Sequence, residues 1–260
     1  MTTWTRDQVL EQSRLWVSPW RPPEATHVTV DGHEFYRMGA EATLITYPVP
    51  PADAVDSIRS AVTAAARSGA DSLQITVGLD YPGGDTVAHV LTTMSAAALG
   101  IVDILAMDLS TSPIEIGSLA TGVDVIEVQT YEEFAEFERT SALGWGYPMS
   151  PRASIQSAYR TLAPGSFLAY HDGIPTGTGG FTLVGPVARL WGASVVPAMR
   201  GRGVYRALVA LRLVNAAARG ATLALVHAES TSSPILQQLG FLKFGELRTF
   251  RVDTARQAMT

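Results

Sequence analysis

The sequence predicts an α+β protein of two related parts: a partial α/β unit, then a larger one with a mixed, mostly antiparallel central sheet flanked by helices. Three observations carry this prediction. Strand-like and helix-like segments alternate through the first 108 residues; three consecutive antiparallel-looking strands precede a glycine–arginine turn and a long helix in the second half; and both halves contain an alanine-rich helix that stops at an arginine and a glycine before a buried-type strand.

The composition narrows the function. The chain has 260 residues, 47% of them hydrophobic, enough for a sizeable core. It has no cysteine, which excludes disulfides, thiolate catalysis and cysteine-ligated metals. No apolar run approaches the roughly 18 residues of a membrane span, and the start lacks a basic segment followed by an apolar one, so the expected location is cytoplasmic. All basic residues but Lys243 are arginines, a bias that a GC-rich bacterial genome accounts for. The net charge of −5 divides unevenly, about −8 up to Gly122 and about +3 beyond. An acidic whole speaks against nucleic acid as partner, whereas a mildly basic second half suits a small polyanion.

Along the first half, Val9, Leu10, Ser13 and Trp16 have helical spacing over Thr5–Trp16, and the stretch from Ser18 to Pro23 breaks that helix. Extended segments follow at HVTV, EFYRM and ATLITYPVPP. Asp53 is placed to cap a helix with Val55, Ile58, Val62 and Ala65 on one face, which Gly69 stops. Ser72–Val77 is a buried-type strand. A second helix opens at Asp85 with Val87, Leu91, Met94 and Ala98 on one face and ends at Gly100, and IVDILAM returns as a strand. Ser110–Gly122 is weakly structured, and the domain boundary is placed there: 1–122 and 123–260.

The second half opens with strand VDVIEVQT and helix YEEFAEFERTSAL. A loop carrying Trp145, Tyr147 and Pro148 leads to a helix near Ile155–Leu162 and then to strands SFLAYHD, TGTGGFTLV and ARLWGASVV. The halves echo one another over roughly 50 residues. AAARSG leads into ADSLQITV, AAARG leads into ATLALVH, and each is followed by a turn, a short helix and a leucine–glycine pair. They differ just before the first helix of each repeat, where the second half reads VVPAMRGRGVY and the first reads ITYPVPPADAV.

Val195–Leu213 is the segment that carries chemistry: strand, proline, glycine–arginine loop, helix. Such a loop gathers backbone N–H groups at a helix N-terminus, where the dipole also favours negative charge. Gly201 and Gly203 let the backbone approach a ligand closely, and Arg200, Arg202 and Arg206 add positive charge. There is no Gly-Lys-Ser/Thr phosphate loop and no complete dinucleotide fingerprint.

Arg200-Gly201-Arg202-Gly203-Val204-Tyr205 resembles the acyl-CoA signature of the GNAT superfamily: Arg or Gln, two residues, Gly, one residue, Gly or Ala. Tyr205 departs from the pattern at its last place. The resemblance covers about residues 123–253 and includes the family's Leu-Gly-Phe element as Leu239-Gly240-Phe241. It implies a GNAT fold preceded by a degenerate GNAT-like half that lacks the loop and does not bind CoA. It also implies an acyl-CoA-dependent N-acyltransferase, with acetyl-CoA or another acyl-CoA as co-substrate and no metal.

The same resemblance places the pantetheine arm and thioester against backbone N–H groups at Ser194, Val195 and Val196, with Arg200, Gly201, Arg202, Gly203, Val204, Tyr205 and Arg206 around the pyrophosphate. Transfer proceeds by direct attack of a primary amine in a ternary complex. Many family members place a proton-donating tyrosine four residues before the Leu-Gly-Phe glycine; here that position is Leu236. Candidate proton carriers are Glu229, His227 and Ser230, the first two expected on one strand face. Ser233, before Pro234, suits a helix N-cap. Trp145, Tyr147 and Trp191 are candidates for the acceptor pocket.

The expected acceptor is a small-molecule or peptide amine, without nucleic acid or membrane, and an exposed sheet edge is compatible with a homodimer. The alternatives are a catalytically silent acyl-CoA-binding or sensing protein, an acyltransferase using a different thioester donor, and, more distantly, a nucleotide-binding α/β protein.

Overall fold

The computed structural model describes residues 4–17, 24–45, 54–110 and 120–257. The elements in chain order are α1 (Arg6–Arg14), β1 (Thr26–Val30), β2 (His33–Met38), β3 (Glu41–Leu44), α2 (Ala54–Arg67), β4 (Ser72–Gly78), α3 (Gly84–Thr93) and β5 (Ala97–Asp108). There follow β6 (Val123–Glu127), α4 (Tyr131–Trp145), α5 (Arg152–Tyr159), β7 (Ser166–His171), β8 (Ile174–Val184) and β9 (Val187–Val195). A short 3-10 turn, Pro197–Met199, precedes α6 (Val204–Ala218), β10 (Leu223–Ala228), α7 (Ser233–Gln238), β11 (Leu242–Asp253) and α8 (Thr254–Gln257). The expected breaker at Ser18–Pro23, the Asp53 cap, the proline-rich turn after β3 and most of the stretch from Ser110 lie outside the described residues.

Contacts group the chain into two compact units. One comprises Arg6–Ile104, Ala228–Ser233 and Lys243–Thr260; the other comprises Met1–Thr5, Leu105–His227 and Pro234–Leu242. In the first, the strands run in the order β1-β2-β3-β4-β11, antiparallel except for the parallel β3–β4 pair. Its core joins Ile58, Ala61, Val62 and Ala65 of α2 with Leu73, Ile75 and Val77 of β4, Val87 and Leu91 of α3, and Phe250 of β11. Val55, expected on the buried face of α2, is instead exposed.

The helical pattern at Val87–Ala98 overruns the helix that forms. Ser95 adopts a left-handed backbone (φ 58°), and the N–H groups of Ser95 and Ala96 donate to Thr92 and Leu91, ending α3. Ala98 and Gly100 therefore belong to β5, which starts four residues before the expected IVDILAM strand. The Leu-Gly-Phe element leads into the 12-residue β11.

In the second unit the order is β10-β9-β8-β7-β6, with β9–β10 parallel and the other pairs antiparallel. α4 starts with a reciprocal capping box: the Thr130 hydroxyl accepts from the Glu133 N–H, and the Glu133 carboxylate accepts from the Thr130 N–H. Behind it, Phe134, Phe137, Ile155 and Leu168 pack with Tyr159 and Trp191. Thr130→Ala is expected to cost about 1 kcal/mol of stability through loss of this cap, measured by urea unfolding; an unchanged midpoint would show that tertiary packing alone fixes the helix start.

Candidate functional site

The site begins with a mismatch in residue number between two strands. β8 and β9 pair as Thr178↔Ser194 and Gly180↔Trp191, leaving only Gly179 on β8 opposite both Gly192 and Ala193 on β9. Gly192 takes the left-handed conformation (φ 63°), as such a bulge requires. The bulge coincides with the end of parallel pairing to β10, whose last registered pair is Val226↔Leu190 although β9 continues to Val195.

Past the bulge, antiparallel alternation decides which backbone groups remain available. Val196 N–H donates to the Thr176 carbonyl at 2.8 Å, so Val196 and Ser194 turn their polar groups to β8, and Val195 turns its own away. Of the three backbone positions expected to hold the pantetheine arm, only Val195 presents its N–H on the side where pairing to β10 has ended.

The strand feeds directly into the glycine loop. Gly201 (φ 78°) and Gly203 (φ 81°) both adopt left-handed conformations. A Cβ on Gly203 would also lie 2.6 Å from that of Ala120. Gly203 is the N-cap of α6 and supplies no side-chain acceptor, so no side chain caps the first turn that begins at Val204, a place that favours an anion.

The three arginines of this segment differ in their engagements. Arg200 donates from Nε to the Val195 carbonyl and from Nη2 to the Gly144 carbonyl, each at 3.2 Å, tying the loop to the last turn of α4. Arg206 donates to Gln238 at 2.7 Å, and Arg202 is exposed. The fit for a polyphosphate therefore rests first on backbone amides, with Arg202, exposed like Arg200 and Arg206, the one of the three without a side-chain hydrogen bond to another described residue.

Two sets of polar side chains flank β8 and β9 that sequence patterning did not single out. On the α4 side, Ser141 Oγ donates to Thr178 Oγ1 at 2.9 Å, which lies 3.1 Å from Ser194 Oγ; all three residues are buried. Gly144 makes room for Ser194, since a Cβ there would overlap its hydroxyl.

On the α6 side, Arg212 is only 2% exposed. Its Nε donates to Leu208 at 3.1 Å, and its Nη1 donates to the carbonyls of Gly180 at 3.3 Å and Trp191 at 3.5 Å. Gly179 is bare above it: a Cβ there would be 3.3 Å from the guanidinium carbon. Burial lowers the Arg212 pKa, opposed by contact with Tyr205.

The aromatic candidates separate. Trp145 is exposed at the end of α4, Tyr147 is half-buried, and Trp191 belongs to the core cluster, its Nε1 donating to Thr182 at 2.9 Å. Among the candidate proton carriers, His227 lies in β10, and burial, then the charge of Arg189, pushes its pKa down to about 4. Glu229 and Ser230 lie beyond the end of β10 and are exposed; the Glu229 carbonyl accepts from the Ser232 and Ser233 N–H groups. Ser233 is the first residue of α7, and its hydroxyl donates to Asp103 where an N-cap role was expected. Leu236, at the family's tyrosine position, is 1% exposed and part of the core. Among the described residues there is no cluster of three metal-ligating side chains.

A mixed, mostly antiparallel sheet flanked by helices, with a strand running into a glycine turn at a helix N-terminus, is the architecture expected of the GNAT fold. Residues 128–241 match the model of the acetyltransferase (GNAT) family, and the chain carries a domain of that superfamily there. No curated protein matches the sequence.

Among solved structures, the chain is similar to a GCN5-related N-acetyltransferase from Kribbella flavida (18% identity, 88% of this chain and 90% of that one, TM-score 0.60). It is also similar to a tandem GNAT protein from the clavulanic acid biosynthesis pathway (17%, 90% and 85%, 0.63). A third is a GCN5-related N-acetyltransferase from Sphaerobacter thermophilus (13%, 85% and 76%, 0.68). The likeness extends over the first half, which has a GNAT-like fold of its own.

The depressed His227 pKa gives a sign for stability. Between pH 6.5 and about 4 the unfolded chain takes up a proton that the folded imidazole refuses, so stability falls as pH falls through that window. His227→Gln is expected to flatten the loss by at most about 1.4 kcal/mol per pH unit, followed by urea unfolding at pH 7 and pH 5; an unchanged slope would mean the imidazole titrates normally.

Proposed function

We propose that this protein is an N-acyltransferase that moves an acetyl or other acyl group from the corresponding acyl-CoA to a primary amine, by direct attack in a ternary complex. The observation that carries the reading is the continuity of two binding features: the edge of β9 freed at the Gly192 bulge and the uncapped α6 N-terminus reached through Gly201 and Gly203. A thioester-linked arm added along a strand edge gains backbone hydrogen bonds, and a pyrophosphate at a helix N-terminus gains several oriented amides.

In this reading Val195 N–H receives the pantetheine arm, and the amides of residues 204–206, with Arg202, hold the phosphates. The bound coenzyme supplies an acyl group activated as a thioester. The chain itself orients that group, withdraws it from water and provides for the amine's protons. Glu229, His227 and Ser230 remain candidates for proton transfer. His227, with its pKa near 4, is neutral at pH 7 and a weak base; Glu229 and Ser230 are open to solvent.

The buried Leu236 favours a second reading, acyl-CoA binding without turnover, because it removes the proton donor common in the family. Calorimetric titration with acetyl-CoA, alongside thiol release on a panel of amines, separates the two. Gly203→Glu combines a strained φ, a clash with Ala120 and a carboxylate at the anion site. It is expected to weaken acetyl-CoA binding at least ~100-fold, about 2.7 kcal/mol, with the far-ultraviolet circular dichroism unchanged. Equal binding by a folded variant would refute the site, and binding without release on any amine would favour the second reading.

A further inference from the structure

Glu138 and Ser141 are three residues apart in α4 and share a face of that helix. Where the helix ends, Gly146 turns left-handed (φ 79°), and the N–H groups of Gly146 and Tyr147 both donate to the Ala142 carbonyl, at 2.8 and 3.2 Å. The chain thereby doubles back, and the Tyr147 hydroxyl meets Ser141. Ser141 is thus the link between Tyr147 on one side and Thr178 on the other. A line of hydroxyls thus runs from the half-buried Tyr147 through Ser141 and Thr178 to Ser194, the residue before the open Val195 edge.

Glu138 stands beside the outer end of this line. It is half-buried, and it makes no hydrogen bond or ion pair with another described residue, whereas the neighbouring Glu133 and Glu136 are both engaged. Desolvation holds its carboxyl above the ordinary carboxylate range. Desolvation and then the Glu138 charge raise the Tyr147 pKa. A carboxylate partly removed from water without a cation is costly, and a bound cation offsets that cost.

We propose that Glu138, with Tyr147 beside it, receives the ammonium group of a cationic aliphatic acceptor and takes its proton, acting as the catalytic base of the acyl transfer. The inference rests on the acyltransferase reading above and specifies its acceptor class. One ammonium proton passes to the Glu138 carboxylate, leaving a lone pair on nitrogen. The nitrogen bonds to the acyl carbon, the carbon–sulfur bond breaks with its electron pair on sulfur, and the second proton ends on the thiolate. Glu138 then releases its proton to solvent. Tyr147, fixed by the hydroxyl line, positions the amine and is expected to affect KM more than kcat.

The test uses the full-length protein with acetyl-CoA and three probes, spermidine, glucosamine and phenethylamine. Glu138→Gln is expected to lower kcat/KM for the amines that wild type acetylates at least tenfold, while acetyl-CoA affinity stays within about twofold. The acid limb of the wild-type pH profile, on which activity is lost as Glu138 protonates, is expected to disappear in that variant. Glu138→Asp is expected to restore part of the rate, and Glu132→Gln, on the exposed face of α4, to leave it unchanged. Wild-type rates and an unchanged acid limb in Glu138→Gln would overturn the proposal, as would an enzyme that binds acetyl-CoA but acetylates none of the three amines. Failure of wild type to bind acetyl-CoA is read in the calorimeter before any amine is added; it would fell the acyltransferase reading and this inference with it.

Discussion

The candidate coenzyme site depends on one extra residue in β9. With Gly192 and Ala193 both opposite Gly179, the strand bends and its pairing to β10 stops at Leu190. A continuous ladder would consume the backbone groups that a ligand needs. Arg212 supports the interruption from beneath, filling the space over Gly179 and donating to the Gly180 and Trp191 carbonyls on either side. Removing a guanidinium from water costs several kcal/mol, and its carbonyl partners and Tyr205 offset part of that cost. The arrangement confines a cation to the α6 face of the sheet while the hydroxyls and Glu138 lie on the α4 face.

Loop and helix geometry then follow from small residues at particular places. Gly144 admits Ser194 against α4, and the Gly144 carbonyl receives Arg200. Arg200 thereby ties α4 to the loop. Its bond to the Val195 carbonyl leaves the Val195 N–H as the backbone group directed to the open edge. In the proposed function, charge for the polyanion comes chiefly from the N-terminus of α6, so that the segment needs no phosphate contact from Arg200.

Much of the architecture was legible because hydrophobic period and glycine punctuation agree with it: α2 and β4, the three antiparallel strands β7–β9, and the Gly201–Gly203 loop. The bulge was not legible, because a one-residue mismatch between strands leaves no periodic trace in TGTGGFTLV or ARLWGASVV. Arg212 reads in sequence as a solvated helical arginine, and only the packing of α6 on β8 shows that it is buried. Glu138 lies among three other glutamates in YEEFAEFER, with nothing in the spacing to mark it. Ser95 ended α3 early because a left-handed serine carries no reliable local signal, and the expected strand through Glu229 ended at Ala228 because the Glu229 carbonyl turns to start α7.

The most direct test of the account is residue-resolved amide exchange with and without acetyl-CoA. The expected result is a rise in protection at Val195 and at the first-turn amides of residues 204–206, with Ser194 and Val196, already bonded to β8, unchanged. Protection rising at Ser194 and Val196 while Val195 stays as it was, or no change anywhere along residues 193–206 under saturating ligand, would contradict the assignment of the open β9 edge and the α6 N-terminus as the coenzyme site.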